Sequence, residues 1–264
     1  LNNARTSALD RLLALGGSPQ GARPKILVQI SRDGKKILYG AGSIRKDFSP
    51  YLIKYSAKDD RPDAAALEFA YSRMAQDCGI SVPKSMLLGD GRYFAVRRFD
   101  RDGGKKIHMH TVSGLLHAPH TYPSLTYRDL LLCTRSLTRD ESAVTEMFRR
   151  VCFNVFAHNR DDHTKNFAYL MDENGTWHIS PAYDLTFSEG MGGEHMLLIE
   201  SEGKNPNRNH LLKLAQEVGV KNAKEIIEKV TSVVAHFAEY AVAANVTKKT
   251  RVQVQKATQI IYRA

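Results

Sequence analysis

From Ser142 to Ala157 the chain places Val144, Met147, Phe148, Val151, Cys152, Val155 and Phe156 at i, i+3 and i+4 spacings. A stripe that broad predicts a helix largely buried in a core. The helix runs directly into His158, Asn159, Arg160, Asp161, Asp162, His163, Lys165 and Asn166, the densest polar cluster in the sequence. After the cluster, FAYLMDENGTWHIS reads as a β-hairpin turned at Asn174-Gly175. A buried helix, a polar loop and a hairpin in that order place functional groups on a rigid scaffold.

The rest of the chain divides around that centre. PKILVQIS and KKILYG flank Asp33-Gly34, YLIKY is expected to start after the breaker Pro50, and SMLLGDGRYFAVRRF is a further hairpin around Gly89-Asp90-Gly91. Between them, Leu67, Ala70, Tyr71 and Met74 predict a helix from Asp63, its candidate N-cap, to a stop at Gly79. Phe99 to Tyr127, rich in Gly, His and Pro, reads as a connection, and the last third is mainly helical, with Ile226, Ile227, Val230, Val233, Val234 and Phe237 on one stripe. The expectation is an α+β fold of two lobes, a small β-rich lobe over residues 1–100 and a mainly helical lobe over 101–264.

Composition narrows the classes. No run approaches the roughly 18 apolar residues that a membrane helix needs, and the first ten residues lack a secretory signal, so the expected location is cytoplasmic, with no membrane partner. Cys78, Cys133 and Cys152 form no C-x-x-C pair and read as reduced thiols in or near the core. The net charge of +10 favours polyanionic partners. Its basic residues are dispersed, which leaves a solvated surface and nucleic-acid binding both open.

Asp161 is followed five positions later by Asn166, and then by a hairpin and Asp184. Phosphoryl transfer from ATP uses such a set, an acceptor-orienting carboxylate and two oxygen ligands for Mg2+. Upstream stand the other parts of that template: Lys54 in an apolar strand, Glu68 on the following helix, and the Gly-rich segment Gly16 to Gly21. Taken singly, Lys54 reads sooner as a snorkelling strand lysine and Glu68 as a solvent-facing helix residue, and Lys165 either neutralises a phosphate or faces water. Their order along the chain carries the reading. Three other classes remain open: a small-molecule kinase, a metal-dependent hydrolase using His158, Asp161, Asp162, His163 and Asp184, and a non-catalytic binding module.

These residues resemble the HipA-like serine/threonine kinases of bacterial toxin–antitoxin modules. Ser18-x-x-Gly21-Ala22-Arg23-Pro24-Lys25 is similar to that family's S-x-x-G-A-x-P-K loop, Asn159-x-Asp161-x-His163-x-Lys165-Asn166 to its N-x-D-x-H-x-K-N, and Tyr183-Asp184 to its metal-site Y-D. Asn205-Pro206 and LLKLAQEVGV resemble a later family segment. The resemblance implies Asp161 as catalytic base, His163 shaping the site beside Lys165, Asn166 and Asp184 as Mg2+ ligands, and Lys54, oriented by Glu68, on the ATP phosphates. It implies a nucleotide loop of Gln20, Gly21, Ala22, Arg23, Pro24 and Lys25, a hinge of Arg97, Arg98 and Phe99 along the adenine next to Tyr183, and autophosphorylation of Ser18. Arg97 stands where the family usually has an acidic residue, which leaves adenine to backbone groups. The implied partners are ATP, a protein substrate of the aminoacyl-tRNA synthetase kind and a helix-turn-helix antitoxin through which DNA is met only indirectly. Because the chain has little ahead of its Gly-rich loop, it resembles the short kinases of three-gene modules, in which a separate small protein supplies the N-terminal part.

Overall fold

A computed structural model describes residues 24–40, 42–56, 60–102 and 104–263, with side chains through Thr258. Five antiparallel strands, β1 (Lys25–Ser31), β2 (Ile37–Tyr39), β3 (Phe48–Tyr55), β4 (Ser85–Leu88) and β5 (Tyr93–Arg97), form one sheet in the order β2-β1-β3-β5-β4. Asp33-Gly34 makes the first turn as its sequence predicts, with Gly34 at φ +69° and Asp33 Oδ1 accepting from Lys35 N at 3.0 Å. The pairing register sorts the side chains by face, because strand residues alternate. Lys25, Lys54 and Phe94 align across β1, β3 and β5, as do Leu27, Leu52 and Val96, while Ile26, Ile53 and Ala95 fall on the opposite face.

Pro50 does not precede β3 but lies inside it. It sits on the last rung toward β5, where Arg98 N donates to Pro50 O at 2.9 Å, so its missing N–H removes one terminal bond and leaves the ladder intact.

The helix α1 (Ala64–Asp77) ends at Gly79, whose φ of +82° suits a residue without Cβ. Its apolar face does not pack with the sheet alone. Tyr71 meets Phe153 and Phe237 edge-on, with ring centroids 6.1 and 6.0 Å apart, and donates to Ala157 O at 2.6 Å. Asp63 is the N-cap residue, as the sequence predicts, and its carbonyl accepts from Leu67 N at 2.9 Å, but its side chain makes no bond to that helix.

After two short strands, β6 (Arg101–Asp102) and β7 (Lys105–Lys106), the connection contributes β8 (His108–Thr111) to a second sheet, β10-β9-β8, with β9 (Ala168–Met171) and β10 (Trp177–Ile179). The strand β8 was not expected, because HMHT has no apolar alternation and its partner lies far along the chain. A turn of helix, α2 (Val112–Leu115), is followed by α3 (Tyr127–Thr138) and α4 (Glu141–Phe156). Then come α5 (Arg208–Val218), α6 (Ala223–Ala235), α7 (Phe237–Ala243) and α8 (Lys248–Arg263). The large core is built on α4, whose predicted stripe from Val144 to Phe156 is buried, and it takes in α1 and the C-terminal helices. Cys78 and Cys152 are buried, Cys133 is half-buried, and all three are free; burial pushes the Cys78 thiol up to about 12.

Candidate active site

The chain leaves α4 through His158, a non-glycine residue at φ +55°. Its ring stacks on Phe187 at 5.3 Å and donates from Nδ1 to Ser188 O at 3.2 Å. Asn159 Nδ2 then donates back to Asn154 Oδ1 at 2.9 Å, so the first residues of the polar loop are tied to the helix that delivers them.

The two aspartates that follow have opposite fates. Asp162 is 1% exposed. It accepts from Tyr127 Oη and from His195 Nδ1 at 2.7 Å on one oxygen, and from Met196 N at 2.7 Å on the other. A buried carboxylate met by three donors is a firm anchor. Anchoring Asp162 inward turns its neighbour Asp161 outward, with 61% of its side chain exposed. Arg160 braces the loop on the far side by donating to Gly193 O and Lys204 O.

A short 3-10 turn (Thr164–Asn166) closes the loop. Asn166 Nδ2 donates to Asp161 O at 2.8 Å, and Tyr183 Oη to Lys165 O at 2.7 Å. His163 Nε2 lies 3.8 Å from Asp161 Oδ1, and Lys165 Nζ 3.1 Å from His120 Nε2. Partial burial and the nearby Lys165 and His163 hold His120 below its ordinary pKa.

A cleft of about 360 Å³ opens between the sheet and the segment around Asp184. Lys54 is 8% and Glu68 5% exposed; a charge that deep requires a partner. Lys54 Nζ meets Glu68 Oε1 at 2.6 Å and also pairs with Asp184 Oδ1. Asp184 itself sits at φ +55°, a backbone conformation that non-glycine residues hold where the surroundings enforce it. Leu27, Leu52, Phe94 and Val96 from the sheet face Leu185 and Met109 as apolar walls.

Lys25, Arg97, Arg98, Phe99 and Tyr183 line this same cleft. Phe99 packs against Tyr183 at 5.6 Å between ring centroids. Arg98 and Arg101 clasp Asp100, with Arg98 Nε to Oδ1 at 2.8 Å and Arg101 Nη1 to Oδ2 at 2.6 Å. Burial would raise the Asp100 pKa, but the Arg98 hydrogen bond and the two charges bring it below the usual carboxylate range. The backbone N–H groups of Arg97 and Arg98 are engaged by Lys84 O at 2.8 Å and Pro50 O at 2.9 Å. Phe99 therefore carries the remaining backbone donor of that stretch among the described residues.

The structure thus brings Lys54, Glu68 and Asp184 together, and Tyr183 links that cleft to the loop bearing Asp161, His163, Lys165 and Asn166. Pro24 lies at the start of β1, with its carbonyl accepting from Tyr55 N at 3.3 Å. Ser18, Gln20, Gly21, Ala22 and Arg23 lie outside the described residues. The sequence reasoning missed the Asp162 anchor, because Tyr127 and His195 stand 35 and 33 residues away and nothing local marks them as partners.

Among the described residues no group of three or more His, Cys, Asp or Glu side chains is placed to hold a metal ion. The His158, Asp161, Asp162, His163 and Asp184 set of the hydrolase reading does not converge, since Asp162 faces the core and His158 packs on Phe187. Asn166 and Asp184 offer an amide and a carboxylate oxygen, the sparse hard-oxygen set that suits Mg2+ when phosphates and waters complete its shell.

The sheet, helix and loop together define a two-lobed, protein-kinase-like α+β fold. Residues 17–237 match the HipA-like C-terminal domain model, and the chain belongs to that family. It is 26% identical over 151 residues to the "Putative kinase" of Haemophilus influenzae, and 29% over 136 residues to the "Putative kinase Y4dM" of Sinorhizobium fredii. Those stretches cover 51% and 45% of this chain but 44% and 32% of the relatives, so it spans less than half of their length. Among solved structures it resembles a chain of the Shewanella oneidensis toxin–antitoxin complex of HipA, HipB and operator DNA, at a TM-score of 0.67 and 18% identity, covering 92% of this chain and 63% of that one. No helix among the described residues is long and apolar enough to cross a membrane.

Proposed function

We propose that this chain is an ATP-dependent serine/threonine-protein kinase that serves as the toxin of a bacterial type II toxin–antitoxin system. The observation that carries the reading is the meeting of Lys54, Glu68 and Asp184 in one cleft beside a loop in which Asn166 holds Asp161. Residues 1–100 would hold the nucleotide and residues 101–264 the catalytic loop.

In this reading Asp161 accepts the proton of an incoming serine or threonine hydroxyl as that oxygen bonds the γ-phosphorus and the bond to the ADP oxygen breaks. Its exposure suits an acceptor that arrives from solvent, and the Asp162 anchor keeps it facing that way. His163 and Lys165 stand on the same loop, where His163 limits the rotation of Asp161 and Lys165 offsets charge on the transferred group. Lys54, oriented by Glu68, grips the ATP phosphates, and Asn166 with Asp184 would hold Mg2+, which would supply positive charge against the phosphates. Adenine would lie between the apolar walls, along Arg97, Arg98 and Phe99 and beside Tyr183, with Gln20, Gly21, Ala22, Arg23, Pro24 and Lys25 over the phosphates.

Ser18 is the proposed autophosphorylation site, where close to two added negative charges beside the ATP phosphates would drive the loop outward. The proposed acceptor is a protein such as an aminoacyl-tRNA synthetase, and the proposed setting is the cytoplasm. The complex formed by the Shewanella chain supports a DNA-binding helix-turn-helix antitoxin as partner.

Intact-protein mass and peptide mapping after incubation with Mg-ATP test the reading. One phosphate on Ser18 in the wild type and none in Asp161→Asn is expected. Equal turnover in the two proteins would overturn the assignment of Asp161.

A further inference from the structure

Asp63 stands at the N-cap of α1 but directs its carboxylate away from that helix. Its side chain, in a residue only 6% exposed, accepts three hydrogen bonds from the turn that opens α8: Thr247 N at 2.9 Å, Thr247 Oγ1 at 2.7 Å and Thr250 Oγ1 at 3.1 Å. These partners are 184 and 187 residues distant in sequence. Burial would raise the Asp63 pKa, yet the Thr247 and Thr250 donors hold it below the usual carboxylate range, so the bonds are charge-assisted.

The other end of α1 is tied to the same region, where Tyr240 Oη donates to Asp77 Oδ2 at 2.6 Å. The helix α8 also reaches the segment beyond Asp184, through Gln253 Nε2 to Glu189 Oε1 at 2.8 Å. Glu68, the partner of Lys54, lies in the second turn of α1 between its two fastenings. In protein kinases the equivalent lysine–glutamate pair is made or lost as this helix moves.

We propose that Asp63 is a positioning residue: by fastening the start of α1 to the start of α8, it sets the depth at which Glu68 meets Lys54, and so makes the C-terminal helix part of the apparatus that orders the site. What Lys54 grips rests on the kinase reading; the linkage of Asp63 to Lys54 does not. The fastening is specific in chemistry, because Thr247 and Thr250 use both carboxylate oxygens, Oδ2 and Oδ1, and a side chain truncated at 63 leaves their donors without an acceptor.

The test uses the full chain without nucleotide and follows acetylation of Lys54 by an amine-reactive ester, read by peptide mass. In the wild type Lys54 is expected to react slowly. In Asp63→Ala its rate should rise roughly tenfold, the factor given by ~1.4 kcal/mol of easier local opening. Thr250→Val, which deletes one donor at constant volume, should move the rate in the same direction and serves if Asp63→Ala does not fold. Leu131→Ala, deep in the core on α3, lowers global stability without touching the fastening and should leave Lys54 labelling unchanged. An unchanged Lys54 rate in Thr250→Val and Asp63→Ala, or an equal rise in Leu131→Ala, would overturn the proposal. ATP affinity measured on the same samples separates the two ideas: a wild type that binds no ATP would remove the kinase reading and leave the labelling result standing.

Discussion

Asn166 Nδ2 donates to the backbone carbonyl of Asp161 over 2.8 Å, so the residue proposed to orient the acceptor and one proposed to hold Mg2+ move as a unit. The bond also fixes the amide, leaving Oδ1 as the atom free to act as a ligand. Under the kinase reading, placement of the acceptor and placement of the metal would thereby be interdependent.

Asn166→Ala removes both the brace and the ligand oxygen. Phosphoryl transfer should fall by roughly 10²-fold or more, the usual penalty for misplacing reacting groups, and the Mg2+ concentration for half-maximal rate should rise. Asn166→Asp restores an oxygen ligand but not the donor, so it should recover Mg2+ dependence more than rate. Initial rates across a Mg2+ titration separate the two effects.

Lys54→Ala leaves Glu68 buried without its cation, a change expected to cost ~3–5 kcal/mol. Adding Glu68→Gln removes the stranded charge and should restore much of that stability while activity stays lost. Urea midpoints of the two single variants and the double variant give the coupling directly; additive losses would show that the pair is not interacting.

Asp162→Ala strands Tyr127 Oη, His195 Nδ1 and Met196 N in the core, and should lower stability by about 3 kcal/mol. Tyr127→Phe loses two bonds, the one to Asp162 and the one from Asn154 Nδ2 at 3.2 Å, and should cost less, about 2 kcal/mol. Because Asp161 is held outward by this anchor, Asp162→Ala should also lose phosphoryl transfer at temperatures where the protein remains folded by circular dichroism.

Burial, helped by the charge of Arg160, pushes His158 down from 6.5 to about 4. Above the unfolded value the ring is neutral in both states and stability is intact. As pH falls from 6.5 toward about 4, the unfolded chain takes up a proton that the folded one refuses, so stability declines through that window. His158→Asn keeps a residue that tolerates positive φ and can donate to Ser188 O, but cannot titrate. Urea midpoints at about pH 7.5 and about pH 4.5 should differ less in this variant than in the wild type.

The parts of the fold that the sequence announced are those whose signals are local. Asp33-Gly34 and Asn174-Gly175 declare their hairpins because the turn chemistry sits within the turn, and α4 declares itself by a stripe that needs no knowledge of its partners. The strand β8 stayed hidden because its pairing with β9 is tertiary, and the side-chain partners of Asp63 stayed hidden because they begin at Thr247. Asp161 and Asp162 are alike as letters; their separation into an exposed and a buried carboxylate follows from which one Tyr127 and His195 can reach. Spacing alone linked Asp161, Asn166 and Asp184. The route joining them, through Tyr183 and the Asn166 brace, appears only in three dimensions.

With the amides of Arg97 and Arg98 occupied by Lys84 and Pro50, Phe99 holds the remaining amide donor of that stretch among the described residues. Under the kinase reading, a base lying between the apolar walls would be chosen by that one contact, since adenine presents an acceptor, N1, at the edge where guanine presents a donor, N1–H. The preference for one purine over the other would then hang on a single backbone hydrogen.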